Sequence, residues 1–132
     1  MILVDTNFLI DCLRKKVRIK LLLERYPDEM LFTTEINVFE LYLGLYSSKI
    51  LANNPILFER RRRQLEELLT KFQILPFTRR DAIETSRLLG KKLRNEKKVN
   101  LRDGLIAGIA YSNGFKRKTD DLYFSHQEIE YE

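Results

Sequence analysis

The sequence predicts an α/β domain with a mostly parallel central sheet and helices on both of its faces. Three observations lead there. The chain opens on Met1 to Val4, a short unbroken apolar run ending at Asp5, which is the pattern of a strand covered on both sides. Short runs of the same kind recur near 30–34 and 73–77, separated by longer stretches in which apolar residues return at helical spacing. Finally, 132 residues suffice for one substantial core without disulfides or a structural metal. No repeat, low-complexity tract or linker marks a boundary, so residues 1–132 are read as one domain.

Taken in order, a helix is expected over about 7–15 and a second, basic helical segment over 17–26, closed by Pro27 and Asp28. Met30 to Thr34 reads as the second strand, with Thr34 placed to cap a helix over 35–49. Pro55 opens a long charged helix to about 72, and Gln73 to Phe77 is the third strand. Thr78 and Asp81, three residues apart, form a capping pair for a helix running to about Arg94. Asn100 and Asp103 repeat that spacing ahead of LIAGIAY, and Gly114 ends the helix. A strand, a turn and another strand would occupy 115–131. Strands alternating with helices place a site beyond the carboxyl ends of the strands, where Asp5 sits.

Several classes are excluded early. Hydrophobic content of 44% with 33% charged residues suits a globular domain, and no run approaches the ~18 apolar residues of a membrane span. The start, MILVDTN, has neither the basic opening nor the length of an export signal, so a cytoplasmic protein is expected. One histidine and one cysteine cannot furnish the ligands of a zinc site. Cys12, among apolar residues, reads as an inert buried thiol, and His126 as a surface residue rather than a general base. No phosphate loop, dinucleotide turn or nucleophile elbow occurs. The formal charge of +5 points towards a polyanionic partner, RNA or DNA.

Four acids stand out. Asp5, in VDTN, follows the first strand, and taken alone could merely cap the next helix. Glu40 lies on a helical stripe with Asn37, Gly44, Ser47 and Ser48, a stripe without lysine or arginine, which suits a cleft wall as well as a solvated face. Asp103 sits in a helical first turn, where the dipole favours an acid regardless of function. Asp120 and Asp121 follow a possible strand in KTDDLYF, where turn chemistry alone could account for them. Together they change the argument. Converging carboxylates need a counter-charge, and a hard divalent cation such as Mg²⁺ or Mn²⁺ prefers oxygen ligands. Such an ion activates water and stabilises charge developing on a phosphate.

The order and setting of VDTN, NVFELYLG, NLRDGLIAGIA and TDDLYF resemble the PIN domain, especially VapC-type toxin ribonucleases, over nearly the whole chain. Residue by residue, the resemblance implies that Asp5, Glu40 and Asp103 are the three principal metal-ligating acids and Asp121 the variable fourth, a role Asp120 could take. It implies that Asn7 and Thr119 orient those acids. It also implies a Mg²⁺- or Mn²⁺-dependent endoribonuclease, a VapB-type antitoxin partner that silences the site, and a homodimer. One departure is the segment FKRKT, whose Lys116, Arg117 and Lys118 suit an edge or irregular strand better than the usual apolar one.

Two basic segments flank this picture. Lys91, Lys92, Arg94, Lys97 and Lys98 precede Asp103, and Lys97 and Lys98 are the residues expected to contact the RNA backbone. Arg60 to Arg63 lie on the long helix, with Arg61 expected on its apolar stripe, and read either as a solvated face or as an RNA or partner contact. Two other functions stay open: a PIN nuclease of RNA processing or decay without an antitoxin, and a non-catalytic module that binds Mg²⁺ or a protein.

Overall fold

In the computed structural model, residues 1–14, 19–115 and 123–124 are described. The order is β1 (Ile2–Val4), α1 (Thr6–Leu13), α2 (Ile19–Arg25), β2 (Leu31–Thr34), α3 (Glu35–Ser47), α4 (Lys49–Ala52), α5 (Pro55–Leu69), β3 (Gln73–Leu75), α6 (Arg79–Arg94), α7 (Leu101–Ser112) and β4 (Tyr123–Phe124). The strands line up as β3-β2-β1-β4 and every pairing is parallel, with Ile2 opposite Leu31, Leu3 opposite Tyr123 and Thr33 opposite Ile74.

This order has a direct consequence for where a site can form. The chain moves outward from β1 through β2 to β3 on one side, then back past β1 to β4 on the other. The order reverses at β1, so the crevice at its carboxyl end is the topological switch point of the sheet. Asp5 is the residue there. Ile2, Leu3 and Val4 are fully buried, as a strand covered on both faces must be. They share a core with Phe8, Leu9, Phe32, Leu65 and Phe72, while Phe115 meets Phe32 edge-on at 5.3 Å between ring centroids.

The caps explain most of the helix boundaries. Thr34 and Asn37 form a reciprocal capping box at α3, and Thr78 and Asp81 form another at α6. The helix expected over 35–49 is divided at Ser48, whose extended backbone ends α3 and whose hydroxyl accepts from the Leu51 amide 3.2 Å away to start α4. Asn54 caps α5 with Pro55 in its first turn. At the other end of α7 the Gly114 and Phe115 amides donate to the Tyr111 and Ala110 carbonyls at 3.1 and 2.9 Å, with Gly114 at φ 84°. That is the closure its glycine predicts.

Three side-chain expectations can be placed. Cys12 packs against the core, and burial followed by the charge of Asp11 pushes its thiol up to about 12, so it stays protonated and unreactive at neutral pH. Arg61 is exposed rather than on the apolar stripe; the half-buried member of the run is Arg62, in contact with Glu59 and Glu66. The reason is phase: the buried Leu65 and Leu69 extend back to positions 58 and 62, one residue on from the register that Leu57 suggests. Of the last segment, the described strand is Tyr123–Phe124, beside β1. Thr119, Asp120, Asp121, His126 and the Lys116 to Lys118 run lie outside the described residues. Among those that are described, no helix is long and apolar enough to cross a membrane.

Candidate functional site

Three acids from three elements meet at the end of β1. Asp5 is the cap residue of α1, yet its carboxylate is not used as an ordinary cap: Oδ1 accepts from the adjacent Thr6 amide at 2.7 Å instead of reaching one turn further. The same oxygen accepts from Asn37 Nδ2 at 3.1 Å and from Arg102 Nη2 at 2.6 Å. Asp5 is only 8% exposed, so these charge-assisted bonds compensate most of its lost hydration.

Glu40 comes from α3, one turn after Asn37. Its Oε1 accepts from the Thr6 hydroxyl at 2.6 Å and its Oε2 from Arg102 Nε. Asp103 comes from the first turn of α7, where its amide donates to the Asn100 side chain at 3.1 Å. Its carboxylate does not close the capping box that the spacing suggested; Oδ1 accepts from Arg102 Nη1 at 2.7 Å.

Arg102 is therefore the centre of the arrangement, with a separate nitrogen on each acid. Burial pushes its guanidinium down, but the hydrogen bonds and charges of Glu40 and Asp5 outweigh that and hold it above its ordinary value. One positive charge faces three negative ones. The sequence expectation was that these acids share one ion; in the structure they share one guanidinium. Among the described residues no three acids are spaced to hold a metal ion as they stand. The donor chemistry nonetheless suits a hard cation, since the described partners of the guanidinium are carboxylate and hydroxyl oxygens.

Orientation of the acids falls to Thr6 and Asn37. Asn37 is fully buried; its Oδ1 accepts from the Thr34 amide and hydroxyl at 3.1 and 2.7 Å, which aims its amide nitrogen at Asp5 Oδ1 and at Thr6 Oγ1, 2.9 Å away. Asn7, the expected orienting residue, is exposed on α1. The fourth acid, Asp121 or Asp120, and Thr119 fall outside the described residues.

Arg102, Thr6 and Asn37 were not singled out as site residues in the sequence. For Arg102 a signal existed: a cation in the first turn of a helix opposes the helix dipole and implies a partner elsewhere. Asn37 shared the lysine-free stripe with Glu40. Behind Asp103, α7 lies tight on α6. A Cβ at Gly108 would come within 1.9 Å of the Thr85 hydroxyl, so the glycine is what permits the approach. A groove of about 870 Å³ runs along these two helices, lined in part by Lys91, Lys92, Lys97 and Tyr111, and reaches Asp5 and Asp103. Lys97 and the adjacent Lys98 are exposed.

Comparison with known proteins agrees with this reading of the fold. The chain resembles the solved structures of VapBC2 from Rickettsia felis bound to a DNA fragment from their promoter (20% identity, TM-score 0.69, covering 86% of this chain and 82% of that one). It resembles FitAcB from Neisseria gonorrhoeae (25%, 0.67, 86% and 82%). A toxin-antitoxin complex from Klebsiella pneumoniae is similar as well (24%, 0.58, 92% and 89%). No curated protein matches the chain. The PIN domain profile matches residues 2–129, and with a parallel sheet whose switch point carries converging acids, the chain belongs to the PIN domain family, a family of nucleases.

Proposed function

We propose that the chain is a Mg²⁺- or Mn²⁺-dependent endoribonuclease of the VapC toxin type, with Asp5, Glu40, Asp103 and Asp121 as its acids. The observation that carries this is the meeting of Asp5, Glu40 and Asp103, from three separate elements, at the switch point of the sheet. A divalent ion bound there would generate the attacking hydroxide and stabilise charge on the phosphate. The chain's own part is positional. Asn37 and Thr6 fix the directions of Asp5 and Glu40, and the α6–α7 groove, with its lysines, offers a phosphate-tracking approach to them.

A protein partner is supported by a separate feature. Phe39, Leu43 and Tyr46, at helical spacing on α3, and Ile50 on α4 are 53–74% exposed, exposed apolar side chains of the sort that mark an interface. An antitoxin or a second copy of the chain fits them, and the neighbours described as two-component complexes favour the antitoxin.

The test is cleavage of single-stranded RNA by the purified chain. Hydrolysis that appears with Mg²⁺ or Mn²⁺, stops with a chelator and is suppressed by the co-expressed neighbouring gene product supports the whole reading. Cleavage unaffected by that product points to RNA processing or decay. A folded chain that cuts no RNA under any metal condition leaves a binding module.

A further inference from the structure

We propose that Arg102 is the resident counter-ion of the acidic site, which holds its three acids together in the metal-free chain and must be displaced before a divalent cation can bind. This rests on the reading of Asp5, Glu40 and Asp103 as metal ligands and goes beyond it by assigning a residue that competes with the ion.

Geometry makes the competition direct. Nη2, Nε and Nη1 of one guanidinium each engage a different acid, so the planar fork occupies the point on which all three carboxylates converge. Nη2 also lies 3.3 Å from the Thr6 hydroxyl that orients Glu40. A guanidinium is far larger than Mg²⁺, and acids arranged around it are held apart. That accounts for why no three of them, among the described residues, are spaced to hold an ion as they stand. Ion and guanidinium cannot both occupy the centre.

Charge explains why a placeholder is needed. Clustered carboxylates repel, and Asp5 is nearly buried, so without a counter-charge the site would be costly to fold. Arg102 supplies one positive charge from a helix position where the dipole disfavours it, so the acids rather than α7 set its conformation. A divalent ion brings twice that charge and lets the acids close in. Arg102 is thus a positioning residue in the empty site and a gate on metal affinity, with a side chain one-third exposed that has a route outward.

The experiment measures Mn²⁺ binding to the RNA-free protein by calorimetry or electron paramagnetic resonance, together with melting temperature in chelator and in saturating Mn²⁺. Arg102→Gln should bind Mn²⁺ roughly tenfold more tightly, because the fraction of sites already open rises. It should also melt several degrees lower in chelator, a gap that Mn²⁺ narrows. Arg102→Lys keeps the charge but cannot bridge three acids, and should fall between the two; it also serves if the glutamine variant folds poorly. Asp5→Asn tests the underlying reading, since it should weaken Mn²⁺ binding. If it does and both Arg102 variants bind no more tightly than wild type, the counter-ion inference fails alone. If Asp5→Asn binds like wild type, the metal reading fails and the inference with it.

Discussion

Helices α6 and α7 begin with the same sequence device, a cap residue followed three positions later by an aspartate, and use that aspartate in opposite ways. At α6, Asp81 turns back on its own helix: Oδ2 accepts from the Thr78 amide and hydroxyl at 2.9 and 3.0 Å, and Oδ1 from the Ser112 hydroxyl. It is 2% exposed, with both oxygens engaged inside the fold. At α7, Asp103 leaves the box open, its side chain is 56% exposed, and among the described residues its carboxylate meets the guanidinium next to it. An acid whose two oxygens the fold itself engages is structural; one that its motif leaves available can serve a ligand.

The strongest way to break this comparison is to remove each carboxylate in turn. Asp103→Asn should leave the fold intact and lower metal-dependent RNA cleavage by at least about 100-fold, beyond the range typical of groups that merely support a metal ligand. Asp81→Asn should leave turnover per folded molecule close to wild type. Equal losses in both variants, measured on samples matched for folded fraction, would erase the distinction.

Stability should reverse the order. Asp81→Asn turns one of the two accepting oxygens into an amide donor, so either the Thr78 donors or the Ser112 hydroxyl lose their acceptor in a buried setting, a cost of about 1–3 kcal/mol. The pH dependence gives an independent check. Burial pushes the Asp81 carboxyl up, but the hydrogen bonds from Ser112 and Thr78 outweigh it, and the folded pKa lies below the ordinary 3.8. A depressed folded pKa gives stability that is present above 3.8 and lost as the pH falls from there through the lower folded value. Denaturant unfolding followed down to pH 2 should show that loss in wild type and a shallower one in Asp81→Asn. If the variant follows the wild-type slope, Asp81 is not the group that titrates.

The same contrast shows what could be read without coordinates. The strand Ile2 to Val4, the caps Thr34, Thr78 and Asn100 and the closure at Gly114 are local, each specified by residues within a few positions, and all were legible. Asp5, Glu40 and Asp103 were legible as a set because motif order stands in for distance. Arg102 was not, since Asp5 and Glu40 lie 97 and 62 residues away and its one local mark, a cation in the first turn of a helix, names no partner. That Thr6 and Asn37 are the residues hydrogen-bonded to Asp5 and Glu40, while Asn7 is exposed, was not legible for a related reason. Which of two neighbouring polar residues faces the site depends on the entry angle of α1, which packing sets.

Between the two helices lies the segment carrying Lys97 and Lys98, and the comparison predicts that it belongs with the open site. Replacing both by Ala should weaken RNA binding about equally across sequences and flatten its salt dependence by about 0.7 per lost phosphate contact. Arg62 serves as a poor RNA ligand by contrast, because Glu59 and Glu66 already engage it; its hydrogen bond holds the Glu59 carboxyl down at about 2. Substituting Arg60, Arg61 and Arg63 should leave the slope as it was. A flattened slope from the arginine changes alone would move the RNA path to α5.

The smallest effect concerns how the two helices end. Both close with the same pair of bonds: the Glu96 and Lys97 amides donate to the Leu93 and Lys92 carbonyls at 3.0 Å, just as those of Gly114 and Phe115 do at the end of α7. The left-handed position is filled by glycine in α7 but by Glu96, at φ 56°, in α6. A side chain there is strained, whereas glycine adopts the conformation freely. Glu96→Gly should therefore stabilise the fold by about 0.5–1 kcal/mol, and Gly114→Ala should destabilise it by about 1 kcal/mol. Because the substitution preserves both closing bonds, Lys97 should keep its place and the salt dependence of RNA binding should not change. Chemical denaturation checks the first part and a salt titration the second. A Glu96→Gly variant that is more stable yet binds RNA with a shallower slope would mean that the Glu96 side chain, and not the backbone turn alone, positions Lys97.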